Sequence, residues 1–217
     1  LFQDRLELSF GMRLDGNDFN AHMANPFNQF SPRLSGSYAL TEALSFNFST
    51  GIFQQLPAYT TLGYRNNQGV LVNTDATYIS ATHFVAGLEY NTQKNSKFTI
   101  EAFYKIYNHY PLDLLDSISL ANKGSDFGVI GNVPVSFTNE GRSYGLELFF
   151  QQKLWNNFYG LISYTFVRSE FEDINNTLIA SSWDYRHMLS LTGGKVFKRG
   201  WETGLKLRYN SGSPYTP

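Results

Sequence analysis

Arg5-Leu6-Glu7-Leu8-Ser9-Phe10-Gly11-Met12-Arg13-Leu14-Asp15 is the stretch on which the fold turns. Leu6, Leu8, Phe10, Met12 and Leu14 share one parity, and Glu7, Ser9, Gly11, Arg13 and Asp15 share the other. Successive side chains of a strand point to opposite faces, so these residues form a long strand that is apolar on one side only. A helix would space its apolar residues by three and four, and that spacing is absent.

The alternation recurs along the chain. Leu34, Tyr38 and Leu40 oppose Arg33, Ser35 and Ser37; Leu44, Phe46, Phe48 and Ile52 oppose Ser45, Asn47 and Ser49. Phe84, Ala86, Leu88 and Tyr90 oppose Gly87 and Glu89. Phe98, Ile100, Ala102, Tyr104 and Ile106 oppose Thr99, Glu101 and Lys105. Tyr144, Leu146, Leu148 and Phe150 oppose Ser143, Glu147 and Gln151. Phe158, Ile162, Tyr164 and Phe166 oppose Ser163, Thr165 and Ser169. Leu189 and Leu191 oppose Ser190 and Thr192, and Leu205, Leu207 and Tyr209 oppose Lys206 and Arg208. The pattern predicts about nine strands, most of them near ten residues, the length of a tilted membrane strand rather than of an ordinary one. Charges collect on the polar phase, at Glu7, Arg13, Arg33, Glu89, Glu101, Lys105, Glu147, Lys206 and Arg208. Lipid imposes that segregation, because an Arg or Lys facing the bilayer centre costs about 2–4 kcal/mol. Arg168 breaks the phase and is placed at a strand end, where the penalty fades.

The connections alternate as well. Long links over residues 16–30, 57–80, 111–137 and 171–182 follow the odd strands, and tight turns over 41–43, 92–96, 154–157 and 197–200 follow the even ones. Long loops on one side and short turns on the other characterise an outer-membrane barrel with its short turns periplasmic. Tyr90, Trp155, Phe158 and Trp201 lie near the short-turn ends, where amphipathic rings meet the headgroups.

Composition narrows the function. With 17 basic and 18 acidic residues the formal charge is −1, without the basic excess of a nucleic-acid binder. Cys is absent, which removes disulfide scaffolds, thiolate metal sites and cysteine nucleophiles. No apolar run approaches the roughly 20 residues of a membrane helix. Residues 1–5 do not read as a signal peptide. The odd strand number and the two open edges lead to the expectation of one slice of a larger barrel, with residues 1–217 in a single barrel domain.

Chemical motifs are sparse. Gly141-Arg142-Ser143-Tyr144-Gly145 fits the G-x-S-x-G spacing, and Asp184 and His187 follow in triad order. A nucleophile elbow needs a strand-to-helix turn, however, and this motif runs into a strand. No two of His22, His83, His109 and His187 have metal-ligand spacing. Gly193-Gly194-Lys195 has Val196 where a phosphate loop has Ser or Thr. Glu170, Glu172, Asp173, Asn175 and Asn176 lack the spacing and Gly of a calcium loop, and they read as a solvated acidic loop. No catalytic residue, metal ligand or cofactor is expected, and the chain is not read as an enzyme. The loop 57–80 carries Tyr59, Tyr64 and Arg65 beside Asn66, Asn67 and Gln68, groups that stack on and hydrogen-bond sugars or chelates. Loops held by a rigid scaffold often carry binding, so Tyr59, Tyr64 and Arg65 are the expected ligand contacts.

In order, Ser31-Pro32-Arg33-Leu34, Asn139-Glu140-Gly141 leading into Tyr144-Gly145-Leu146-Glu147, Trp183-Asp184-Tyr185-Arg186-His187 and Ser211-Gly212-Ser213-Pro214-Tyr215-Thr216-Pro217 resemble the barrel of TonB-dependent outer-membrane receptors over nearly the whole chain. The resemblance implies an all-β, antiparallel, up-and-down transmembrane β-barrel segment, about nine long strands of a 22-strand type. It also implies a plug domain in the lumen, outer-membrane lipid outside, and a periplasmic TonB-type protein acting through a part absent from this sequence. The ligand would be a siderophore, cobalamin or a glycan, taken up across the bacterial outer membrane. A passive, plug-free barrel and a soluble glycan-binding β-sandwich are the alternatives.

Overall fold

A computed structural model describes residues 5–124 and 130–214 of the chain. Residues 215–217 of the closing stretch, and residues 1–4 on which part of the leader reading rests, lie outside the described residues.

The alternating segments become strands. In chain order they are β1 (Leu6–Arg13), β2 (Ser31–Ala39), β3 (Leu44–Gln55), β4 (Ile79–Asn91), β5 (Ser96–Asp113), β6 (Ile118–Ser119), β7 (Val135–Trp155), β8 (Phe158–Glu172), β9 (Leu178–Ala180), β10 (Arg186–Val196) and β11 (Glu202–Asn210). Two helical turns, α1 (Ala21–Ala24) and α2 (Tyr59–Leu62), sit in loops. One antiparallel sheet runs β1-β2-β3-β4-β5-β7-β8-β10-β11, with β6 on β5 and β9 on β8. Its nine long strands are the nine that the alternation predicts, each paired with its neighbour in the sequence of long strands.

Register carries the alternation across the whole sheet. Leu6, Tyr38, Phe46, Leu88, Ile100, Leu148, Tyr164, Leu189 and Tyr209 stand opposite one another in a single cross-strand row, one from each long strand. The adjacent row, one residue along, is Glu7, Ser37, Asn47, Gly87, Glu101, Glu147, Thr165, Met188 and Asn210, and it points to the other face. A one-residue slip anywhere would exchange the two faces, so the pattern fixes the register. Among the described residues nothing covers this apolar face: Ile100 in the row is 44% exposed, and Phe10, Phe84 and Leu205 elsewhere on the face are exposed too. In water this surface would be untenable. Transfer from water to an apolar environment would gain each such side chain about 1.5–3 kcal/mol, so a face of this extent marks an interaction surface.

At the short-turn side Asn156 and Asn157, both with positive φ, form a two-residue turn between β7 and β8, the backbone that matches strand twist. Tyr90, Trp155, Phe158 and Trp201 are all exposed near this side. At the opposite side the strands lengthen. β7 has 21 residues and β5 has 18, against about 9–11 for a membrane strand. Residues 111–113 and 135–137, expected within a loop, therefore continue the β5–β7 pairing, and β9 folds the expected loop 171–182 back onto β8. These extensions pack against neighbouring loops, with Val135 and Phe137 in a buried cluster, so nothing imposes a period of two on them. Irregular pairing between Tyr107 and Tyr110, where His109 takes a positive φ, marks the change.

No helix among the described residues is long and apolar enough to cross a membrane.

Candidate functional site

The long loops form a packed cap. Met23, Leu62, Ala76, Tyr78, Val135 and Phe137 make a buried cluster with Phe19, Leu56, Leu120 and Val133 against it. Three loops separated by tens of residues meet there, and side-chain amides satisfy the backbone groups that the irregular chain leaves open. Buried Asn73 donates from Nδ2 to the carbonyls of Thr61 at 2.7 Å and Val133 at 3.0 Å, and its Oδ1 accepts from Val135 N at 3.0 Å. Asn20 accepts from Met23 N at 2.9 Å to cap α1 and donates to Ala76 O at 2.8 Å. Each amide therefore joins two loops. An unpaired buried backbone group would cost about 1–3 kcal/mol, and these contacts remove that cost.

Asp113 stands at the loop end of β5, seven residues beyond Ile106, the last of its apolar stripe. Its carboxylate is fully buried, accepts from Leu115 N at 2.7 Å and Asp116 N at 3.2 Å, and pairs with Lys123, which also lies 2.6 Å from Asp116. Burial pushes its pKa up, but the Lys123 ammonium and the two N–H donors outweigh burial and hold it below the ordinary aspartate value. A lowered folded pKa contributes stability that is complete above the unfolded value of about 3.9 and is lost as pH falls through the folded one. The cap should thus hold at pH 5 and loosen only in stronger acid. Asp113→Ala should loosen it at neutral pH by about 1–3 kcal/mol, read as faster amide exchange over residues 113–123. Unchanged exchange there would remove Asp113 from the role.

The expected ligand contacts lie on this cap, in α2 and the turn that follows it. Tyr59 opens α2 and is 78% exposed. Tyr64 is half-buried at the base of a tight turn in which Val72 N donates to its carbonyl at 3.1 Å. Arg65 donates to Gly69 O at 2.8 Å, closing its own turn, where Gly69 has φ +77°. Among the described residues no hydrogen bond links the three.

The other candidate surface is the polar face of the sheet. Arg33 lies 4.3 Å over the Phe53 ring, which stacks 4.3 Å from His83. His83 faces Lys105 across β4 and β5, so the imidazole lies in one row between two cations, Arg33 on β2 and Lys105 on β5. Two polar-face rows nearer the short turns, beyond the row of Val85, Phe103 and Gly145, Glu101 stands directly opposite Glu147. Like charges opposed across a ladder repel, so this pair asks for a cation above it. Gly87 faces Glu101 at close approach, since a Cβ there would come 2.6 Å from the Ile100 carbonyl oxygen.

The triad-like residues take other roles. Ser143 lies within β7 on the polar face and donates to Ser169 Oγ at 3.1 Å. His187 bonds Tyr164 Oη at 2.8 Å on the apolar face. Asp184 accepts from Ser169 N at 2.8 Å and from Arg168 Nε at 3.2 Å. The three form no nucleophile–base–acid chain. The expected solvated acidic loop is in part strand: Glu170 lies within β8, mostly buried and paired with Arg142 at 2.9 Å and Arg168 at 2.8 Å, while Asp173 holds its own turn through Asn175 N and Thr177 N. Among the described residues no group of three His, Asp or Glu is arranged to hold a metal ion. Asn20, Asn73 and Asp113 carry no recognisable spacing. Their one signal is the density of Asn and apolar residues within links too long for simple hairpins.

No curated protein matches the chain. Solved structures do match in fold. The ferric-catecholate import receptor Fiu from E. coli K12 aligns with a TM-score of 0.63 at 13% identity, over 96% of this chain and 33% of that one. The copper transporter OprC aligns with a TM-score of 0.62 at 16% identity, over 95% and 32%. The alcaligin outer-membrane receptor FauA from Bordetella pertussis aligns with a TM-score of 0.55 at 13% identity, over 85% and 30%. The chain thus spans about a third of the length of each. A family model described as TonB dependent receptor-like, beta-barrel matches residues 2–217. With its two-faced antiparallel sheet and that match over nearly all of its length, the chain belongs to the TonB-dependent receptor β-barrel family.

Proposed function

We propose that this chain forms part of the barrel wall of a bacterial outer-membrane receptor that takes up a scarce nutrient, a siderophore, cobalamin or a glycan, by TonB-type energy coupling. The observation that carries the reading is the separation of the sheet into an exposed apolar face and a charged polar face, in a chain of this family. In this reading the apolar face meets outer-membrane lipid and the polar face looks into the lumen. The opposed Glu101 and Glu147, with Arg33 and Arg208, face a plug domain, whose cations would relieve the carboxylate pair. The packed cap is extracellular, and Tyr59, Tyr64 and Arg65 present rings and a guanidinium to the ligand. Arriving ligand would draw Arg65 from Gly69 O. The chain's part is to bind and pass the ligand, with no chemical step. A TonB-type protein acts from the periplasm through a region outside this chain.

The test is uptake by the parent receptor in cells with and without the energy-coupling protein. Uptake should fall to background without it; equal uptake would favour a passive barrel. With the ligand found, Tyr59→Ala combined with Arg65→Ala should weaken binding at least tenfold, measured by titration on whole cells. Unchanged affinity would remove both residues from the ligand site.

A further inference from the structure

We propose that the apolar face of β8, β10 and β11, at its short-turn end, seats one acyl chain of an anionic phospholipid whose phosphate is met by Lys195. The proposal rests on the membrane reading above. Gly160 and Gly193 oppose each other across β8 and β10, both on the apolar face. Two adjacent positions on a face otherwise covered by large side chains are therefore bare. The result is a trough of about 330 Å³ walled by Phe150, Phe158, Ile162, Leu191 and Leu205, with Lys195 at one end. Lys195 pairs with Phe158 and Thr203 in the last rungs before the turn, so it marks the end of the apolar band.

An ammonium on the apolar phase is costly unless it sits at the interface, where it reaches headgroup phosphates. Lys198 and Arg199 lie in the turn beyond, and Trp201 there is 72% exposed, as an interfacial ring is. None of the three cations is in an ion pair among the described residues. A dry trough one side chain wide, ending in cations and aromatic rings, matches an acyl chain with an anionic head. Clustered basic residues at the membrane surface attract such lipids. A second copy of the chain or the apolar segment of another protein would find the trough but would not need the cations.

The experiment uses the parent receptor reconstituted in nanodiscs, either phosphatidylethanolamine with phosphatidylglycerol or phosphatidylethanolamine alone, with retained lipid counted by native mass spectrometry. Wild type should retain phosphatidylglycerol in preference. Gly160→Leu should lower retention of both lipids several-fold. A Cβ at this position meets only ordinary contacts, the Phe158 ring at 3.5 Å and Thr192 O at 3.6 Å, so the barrel should keep its heat-modifiable migration. Lys195→Gln should leave total retention near wild type and reduce the preference for phosphatidylglycerol at least fivefold. Retention unaffected by either variant, or a protein cross-linked to the Gly160 face in place of lipid, would overturn the seat. A wild-type protein that is soluble and free of lipid would overturn the membrane reading and the seat with it.

Discussion

Ile100→Arg should destabilise the assembled barrel by about 2–4 kcal/mol, while Thr99→Arg, one residue away, should change it by less than about 1 kcal/mol. Ile100 stands midway in the apolar row, with Leu88 and Leu148 opposite it on the flanking strands. A guanidinium there has no anion within the row and must drag water into hydrocarbon or snorkel along the strand. Thr99 points to the polar face, where Glu89 lies opposite, already paired with Lys97 at 2.5 Å, and an arginine would join that ion pair. Urea titration of the parent receptor in bilayers, followed by heat-modifiable migration, measures both. Equal losses would mean that the two faces see similar surroundings, and the lipid assignment would fail with them.

The asymmetry behind that contrast is what made the wall legible from residues 5–15 onward. A sheet with one apolar and one polar face imposes a period of two, and all nine long strands carry it. The cap was not legible, for a physical reason. Met23, Leu62, Tyr78 and Phe137 bury themselves against one another across loops, and a cluster closed by long-range contacts leaves no period in any one loop. Extension of β5 and β7 past the alternating segments was hidden in the same way, since Tyr107, Tyr110 and Phe171 pack ring to ring on one side of the sheet at 5.2 and 4.6 Å. Arg168 was legible only as an exception in phase. Its reason lies in three dimensions: it ends the outward stripe of β8 by pairing with Glu170 and with Asp184 from the following loop.

That last contact sets the second large effect. Asp184→Ala should cost about 3 kcal/mol and release the segment from Ser169 to His187, seen as faster amide exchange and a new proteolytic site there. The Asp184 carboxylate is almost fully buried and accepts from Ser169 N at 2.8 Å, Arg168 Nε at 3.2 Å and Arg186 Nε at 3.5 Å. It clamps β8 to the start of β10 while the loop between them turns outside. Removing one partner of a buried charge pair costs about 3–5 kcal/mol, because the other charge stays behind without compensation. Arg168 retains Glu170 and Arg186 is more than half exposed, which places the expected loss at the lower end. Asp184→Asn separates charge from shape. Its amide oxygen still accepts from Ser169 N, so it should recover about half of the loss, whereas Ser143→Ala, which removes only a hydroxyl bonded to Ser169, should cost about 1 kcal/mol. If Asp184→Ala unfolds no more readily than Ser143→Ala, the clamp is not electrostatic and the loop is held instead by the hydrogen bond that the Ser181 hydroxyl donates to Ser169 Oγ at 2.8 Å.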